Sequence, residues 1–89
     1  MSITRVVIPS VDSRYSTGYI ANVFAKLNIA KVRNITLTTT SYQCNKAVIE
    51  IGEWADSEVA YNIIRRLKDN TKEARVVHKS DDWWVIRAN

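Results

Sequence analysis

The sequence predicts an α+β domain in which two helices cover one face of an antiparallel sheet. Three observations predict it. Residues Asn45 to Trp54 alternate between apolar and polar side chains, as a strand with one buried face does. Two other segments repeat apolar residues at the spacing of a helix that buries one side. Short runs rich in Val, Ile and Thr, bounded by turn residues, supply further strands.

Length and composition fit a single globular domain, which we expect to span residues 1–89. Hydrophobic residues make up 46% of the chain and charged residues 25%, a balance that excludes a disordered or fibrous protein. No apolar run approaches the roughly 18 residues of a membrane span, and the N-terminus lacks the layout of a signal peptide. Cys44 is the only cysteine, so we expect no internal disulfide and an intracellular location, in cytoplasm or nucleus.

Basic charge is concentrated in the first half of the sequence. Residues 1–44 carry five basic side chains and one acidic side chain, whereas residues 45–89 carry eight of each. Such asymmetry occurs on surfaces that bind phosphates or acidic partners, and also on ordinary solvated faces.

The first strand is predicted from Ile3 to Ile8, and Pro9 should either end it or leave it at an edge of the sheet, because proline has no N–H group to give to a sheet. Its alternation places Arg5 and Val7 on the same face. The polar segment Ser10 to Ser16 then leads to the first helix.

That helix is predicted to begin at Ser16 or Thr17, since either hydroxyl can cap it. Its apolar stripe contains Ile20, Val23, Phe24 and Leu27.

The second strand is predicted from Val32 to Thr40, with Ile35 and Leu37 on the buried side and Thr36 on the other. The polar run from Thr39 to Asn45 predicts a hairpin-type loop into the third strand. In the third strand, the side chains predicted to point inward are apolar and are those of Ala47, Ile49 and Ile51. Those predicted to point outward are mixed in character and are those of Lys46, Val48 and Glu50.

Asp56 is the predicted N-cap of the second helix, and Asp69 to Thr71 are predicted to end it. Its buried stripe contains Ala60, Ile63, Ile64 and Leu67.

Glu73 to Lys79 and Trp83 to Ala88 predict a terminal β-hairpin around the turn residues 80–82. Trp83 and Trp84 must point to opposite faces. Trp83 and Arg87 are four residues apart and therefore point to the same face of the strand. Because a charged Arg87 should face solvent, Trp83 is predicted to point away from the helices.

This order of elements is that of the ferredoxin-like fold. We therefore predict a ferredoxin-like βαββαβ sandwich, which combines a four-stranded antiparallel sheet with two helices on one face and a C-terminal β-hairpin elaboration. The other face of the sheet would be open and available for binding.

Over nearly its whole length the chain resembles the RNA-recognition-motif family. Val6 to Val11 occupies the place of the family's short ribonucleoprotein motif, and Asn45 to Ile51 that of the longer one. The resemblance implies a sheet face that binds single-stranded RNA. Family members stack bases on rings at positions that match Val7, Lys46 and Val48, none of which carries a ring, and members without these rings often bind proteins.

Three further segments, 17–24, 28–32 and 81–85, look like parts of small proteins of large DNA viruses, and a viral origin would imply a location in the host cell or the virion.

Catalysis is not expected, because the chain has one histidine, one cysteine, no glycine-rich phosphate loop and no serine nucleophile motif. His78 is read as a strand residue, since no second histidine or cysteine lies at ligand spacing. We expect no cofactor and no bound metal.

The leading hypothesis is a non-enzymatic module that binds single-stranded nucleic acid weakly, with RNA favoured, through the open sheet face. Cations would neutralise phosphates while a ring stacks on a base. The predicted site residues are Arg5, Val7, Arg33, Thr36, Tyr42, Lys46, Val48, Trp83 and Arg87. The alternative is a protein-interaction or homodimerisation module that uses the same face, which Glu50 favours because it repels phosphate. No membrane partner is expected.

Overall fold

The computed structural model describes residues 3–69 and 73–88, which form five strands and two helices. In chain order these elements are β1 (Arg5–Asp12), α1 (Thr17–Lys26), β2 (Ala30–Ser41), β3 (Cys44–Trp54), α2 (Glu58–Lys68), β4 (Ala74–Lys79) and β5 (Asp82–Ala88). The helix end predicted at Asn70 and Thr71 lies outside the described residues.

All five strands belong to one antiparallel sheet with the order β2-β3-β1-β5-β4. The α+β class is thus confirmed, but the predicted number of four strands is wrong. β5 pairs with β1 through Val6 and Val7, which lie opposite Ala88 and Arg87. β4 pairs with the other side of β5, so the terminal hairpin becomes part of the sheet and adds a fifth strand at its edge.

The prediction for Pro9 is wrong in both of its alternatives, since strand β1 continues to Asp12 and lies in the centre of the sheet. The pairing of β1 with β3 shifts register between Ile8 and Val11, and Pro9 lies inside this irregularity. A bulge interrupts the hydrogen-bond ladder, so a residue without an N–H group is tolerated there. Beyond the bulge Val11 returns to the core and is 1% exposed.

The hairpin connection predicted between the second and third strands is confirmed, but it is shorter than the predicted run from Thr39 to Asn45. Thr39 pairs with Asn45 and Ser41 pairs with Cys44, so the ladder continues almost to the tip. Gln43 adopts a left-handed conformation with φ of 60°, which allows the chain to reverse within the two residues between the strands.

Serine hydroxyls cap both helices. The N–H of Tyr19 donates to Oγ of Ser16 at 3.1 Å, as predicted for α1. The N-cap of α2 is Ser57 and not the predicted Asp56, since the N–H of Ala60 donates to Oγ of Ser57 at 3.1 Å. Asp56 instead accepts a hydrogen bond from the hydroxyl of Tyr61.

The hydrophobic core lies between the two helices and one face of the sheet. The predicted inward residues of β3 are confirmed, with Ala47 and Ile49 fully buried and Ile51 8% exposed. Two predicted stripe residues depart from the pattern, because Leu27 caps the end of α1 at 38% exposure and Ile64 is only half-buried. The largest fully buried side chains are Phe24, Ile8, Ile20, Ile29, Ile49, Ile86, Val6, Val11 and Val76.

Candidate binding surface on the open face of the sheet

Four of the predicted site residues form one row across the face of the sheet that the helices leave uncovered. Thr36 lies opposite Val48, Val48 lies opposite Val7, and Val7 lies opposite Arg87. Residues directly opposite in an antiparallel sheet point to the same face. Strand pairing therefore brings these side chains together, although they are far apart in sequence.

The neighbouring row contains an ion pair. Arg5 lies opposite Glu50, and Nη2 of Arg5 is 3.1 Å from Oε1 of Glu50. Both side chains are partly exposed, at 51% and 40%. Arg5, predicted as a phosphate ligand, therefore shares its charge with a carboxylate in the middle of the face.

An exposed indole lies on β5, towards one edge of the open face. Trp83 is 47% exposed and Trp84 is 3% exposed, which is the orientation that their parity predicts. Trp83 lies opposite Val77 of β4, which is itself 52% exposed. The guanidinium carbon of Arg75 lies 5.3 Å from the centre of the Trp83 ring, within the range of a cation–π contact.

Sequence reasoning missed Arg75 and Val77 as members of this surface. The sequence signal for them is their shared parity in the predicted strand, which places Arg75 and Val77 on one face, and both are exposed in the fold. Their position beside Trp83 depends on the register of the terminal hairpin. Arg75 also pairs with Glu73, with Nη2 and Oε2 2.8 Å apart.

The nine predicted residues do not gather at one point. The β1–α1 loop and the β2–β3 turn lie at the same end of the sheet, where the N–H of Ser13 donates to the carbonyl of Gln43 at 2.9 Å. The antiparallel order places the β4–β5 turn there as well. Tyr42, Lys46 and Trp83 lie towards this turn end, and Tyr42 is 89% exposed. The opposite end of the sheet holds Arg5, Arg33 and Arg87.

Arg33 is exposed and lies beside Gly52 of the neighbouring strand. Arg33 occupies an irregular position of β2, where the register with β3 shifts between Val32 and Asn34. A Cβ atom added to Gly52 would lie 3.6 Å from Cβ of Arg33 and 3.1 Å from the carbonyl oxygen of Lys31. Among residues 3–69 and 73–88, Arg33, Lys46 and Arg87 are exposed and form no ion pair. These three cations are available to an anionic partner.

An aromatic cluster lies on the opposite, helix-covered side of the sheet. The ring of His78 stacks on Trp84 with centroids 4.2 Å apart, and Tyr15 stacks on Tyr19 at 4.7 Å. The Tyr19 hydroxyl is 3.0 Å from Nδ1 of His78, and Nε2 of His78 is 3.2 Å from Oδ2 of Asp82.

His78 belongs to this cluster and not to the open face. Its side chain is shielded from solvent, and burial lowers the pKa of His78 because charge is poorly solvated there. The carboxylate of Asp82 favours the protonated form and offsets only part of this shift. The packing supports a structural role for His78.

Within the described part of the chain, no group of three or more His, Cys, Asp and Glu side chains could hold a metal ion. No helix in the same residues is long and apolar enough to cross a membrane.

Comparison with models of known protein families, with curated proteins and with solved structures found no significant match to this chain.

Proposed function

We propose that this domain is a non-enzymatic module that binds single-stranded nucleic acid, with RNA favoured, through the open face of its sheet. The observation that carries the proposal is the exposed Trp83 ring with the Arg75 guanidinium 5.3 Å from its centre. An exposed aromatic ring beside a cation is the combination that single-strand binders use, because every base offers a flat face for stacking.

The exposed cations would supply the electrostatic part of the affinity. Lys46 lies towards the same end of the sheet as Trp83. Arg33 and Arg87 lie towards the opposite end, so positive charge is present at both ends of the face. Each base stacked on an aromatic ring is worth about 1–3 kcal/mol in comparable binders. With a single tryptophan on the face, the expected affinity is modest and depends strongly on salt.

The element order also supports assignment to the ferredoxin-like class. Strands β1, β2, β3 and β5 with the two helices follow the βαββαβ order, in which the two central strands are β1 and β3. In this interpretation β4 is an addition outside the four-stranded unit. It would widen the open face by the side chains of Arg75 and Val77.

Fluorescence anisotropy with labelled single-stranded RNA and DNA tests the proposal at about 50 mM and 200 mM salt. We expect binding that weakens strongly at the higher salt, and a loss of about 5- to 150-fold on Trp83→Ala. Tyr61→Ala is the matched control, since Tyr61 is 55% exposed but lies on α2. Lys46→Ala should also weaken binding, whereas Lys26→Ala on α1 should not. Absence of binding at low salt, or equal effects of the Trp83 and Tyr61 variants, would refute the proposal.

The rival function is a protein-interaction module that uses the same face, or a homodimer that buries it. The Arg5–Glu50 ion pair favours this rival, because it places a carboxylate among the cations. The partly exposed side chain of Val48 adds apolar surface, whereas its neighbour Val7 is only 9% exposed and adds little. Protection of the Trp83 ring from a soluble fluorescence quencher as protein concentration rises, without nucleic acid, would support the homodimer over the nucleic-acid binder.

A further inference from the structure

We propose that a second copy of this chain pairs along the outer edge of β2, so that two five-stranded sheets join into one ten-stranded sheet. This inference is independent of the nucleic-acid proposal, because pairing at an edge leaves the open face exposed. It rests on the chemistry of the two edges of the sheet, on the regular middle of β2, and on two half-buried side chains.

The two edge strands differ in how they are protected against pairing. β4 has six residues, and two of them, Arg75 and Lys79, are exposed cations. β2 has twelve residues, and from Asn34 to Ser41 it contains neither a charge nor a proline. Short length and charged side chains are the usual devices that prevent an edge from adding another strand. β2 lacks both over its second half.

Irregularities limit where a second copy can pair. The register of β2 with β3 shifts on either side of Val32 and again between Thr39 and Ser41. Between these points, Asn34 to Thr39 pair with β3 without interruption. Six regular residues are about the length of an average strand, and they present one side of their main-chain donors and acceptors outward.

A two-fold axis near Thr36 gives a pairing without charge conflict. In an antiparallel pair centred on this residue, Ile35 of one copy lies opposite Leu37 of the other. Arg33 then lies opposite Thr39, so the basic residues at the start of β2 do not meet their own copies. A basic chain, with a net charge of +4, can therefore pair with itself at this edge with little repulsion.

The apolar side chains of β2 are incompletely covered. Ile35 and Leu37 pack against the core but are only partly buried, whereas their partners Ile49 and Ala47 on β3 are fully buried. In the proposed dimer each of these side chains gains a cross-strand apolar neighbour, and such pairs contribute roughly 0.2–1 kcal/mol. The partner that best fits this edge is therefore the same strand of another copy.

Sedimentation equilibrium over an about hundredfold range of concentration tests whether the chain dimerises. Thr38→Lys places a cation on the regular part of β2 and should weaken the dimer about tenfold or more, because it adds repulsion beside Arg33 of the other copy. Val77→Lys adds the same charge to the opposite edge and should leave dimerisation unchanged. A chain that stays monomeric, or a dimer that both variants weaken equally, overturns the proposal.

Spin-label distances locate the interface if a dimer forms. In a Cys44→Ser background, Thr38→Cys should give a short distance between the two labels, since their strands are neighbours. Val77→Cys should give about 43 Å, because nine strand spacings of about 4.8 Å separate the two β4 strands. Two similar distances would instead assign the dimer to another surface and overturn pairing along β2.

Discussion

Arg5 and Glu50 lie opposite each other on adjacent central strands of the sheet, with Nη2 and Oε1 3.1 Å apart. The pair lies on the face that we propose binds nucleic acid. Glu50 forms an ion pair with Arg5, and its negative charge repels any phosphate that approaches. This carboxylate therefore limits affinity in the proposed function.

Glu50→Gln should strengthen nucleic-acid binding several-fold at low salt. The substitution frees Arg5 for a phosphate and removes a repulsive charge, so the salt dependence should steepen by about 0.7 in the slope of log K against log salt. Stability should change by no more than about 1 kcal/mol, since exposed ion pairs contribute little. Glu58→Gln, on the helix side, is the control for net charge. Equal gains from the two variants would show that Glu50 has no local role on the open face.

The two glycines should respond in opposite ways to alanine. Gly52→Ala places a Cβ 3.1 Å from the carbonyl oxygen of Lys31, in an irregular part of β2, and should destabilise the fold by about 1–2 kcal/mol. Gly18→Ala meets only Oγ of Ser16 at 3.8 Å and lies in α1, so it should stabilise by about 0.4–1 kcal/mol. Urea unfolding of both variants measures the difference. The same sign for both would contradict the close approach at Gly52.

Strand alternation explains why much of the core could be predicted from sequence. A period of two places Ala47 and Ile49 on one face whatever the partner strand is, and both are fully buried. The same rule orients Trp83 outward and Trp84 inward. The end of β1 could not be predicted in this way, because Pro9 is tolerated only through a bulge that depends on pairing with β3.

The site was less predictable than the core because it depends on contacts between strands. Whether Arg5 is free or paired is decided by its position opposite Glu50, which the register of two strands sets. The position of Arg75 at the Trp83 ring depends likewise on the hairpin register. His78 reads as an ordinary strand residue in the sequence, and only tertiary packing stacks it on Trp84.

Ser57→Ala should destabilise the protein by about 1–2 kcal/mol. Its hydroxyl accepts the cap hydrogen bond from Ala60 and donates to the carbonyl of Asn28 at 2.7 Å, so one substitution removes two contacts. Asn28 adopts a left-handed conformation with φ of 57° at the end of α1, and Ser57 thus ties the two helix ends together. Thermal unfolding measures the loss.

Asp56→Ala is the contrasting variant, since sequence alone predicted Asp56 as the cap. It should cost less stability than Ser57→Ala. Its main effect should be on Tyr61, whose pKa is raised because its hydroxyl donates a hydrogen bond to Asp56 and lies near that negative charge. Ultraviolet titration should show the pKa of this tyrosine falling towards its ordinary value in the variant. A larger loss of stability from Asp56→Ala than from Ser57→Ala would restore Asp56 as the effective cap.

Stability should fall as the solution is acidified below the ordinary pKa of histidine, about 6.5. Burial lowers the pKa of His78 in the folded protein, so between the folded and unfolded values the unfolded chain binds more protons. Stabilisation from the neutral ring is complete above about pH 6.5 and is lost as pH falls towards the folded value. Urea unfolding between about pH 7.5 and pH 5 measures this loss, in a range where most carboxylates remain ionised.

His78→Phe separates titration of the ring from its packing. Phenylalanine preserves an aromatic neighbour for Trp84 but cannot take up a proton, and it leaves the Tyr19 hydroxyl without its nitrogen partner. The variant should be less stable than the parent at neutral pH, by about 1–3 kcal/mol for the unpaired hydroxyl. Its stability should then change much less than that of the parent between about pH 7.5 and pH 5. If acidification lowers the free energy of unfolding equally in both proteins, other groups cause the acid sensitivity. Protonation of His78 would then not destabilise the fold.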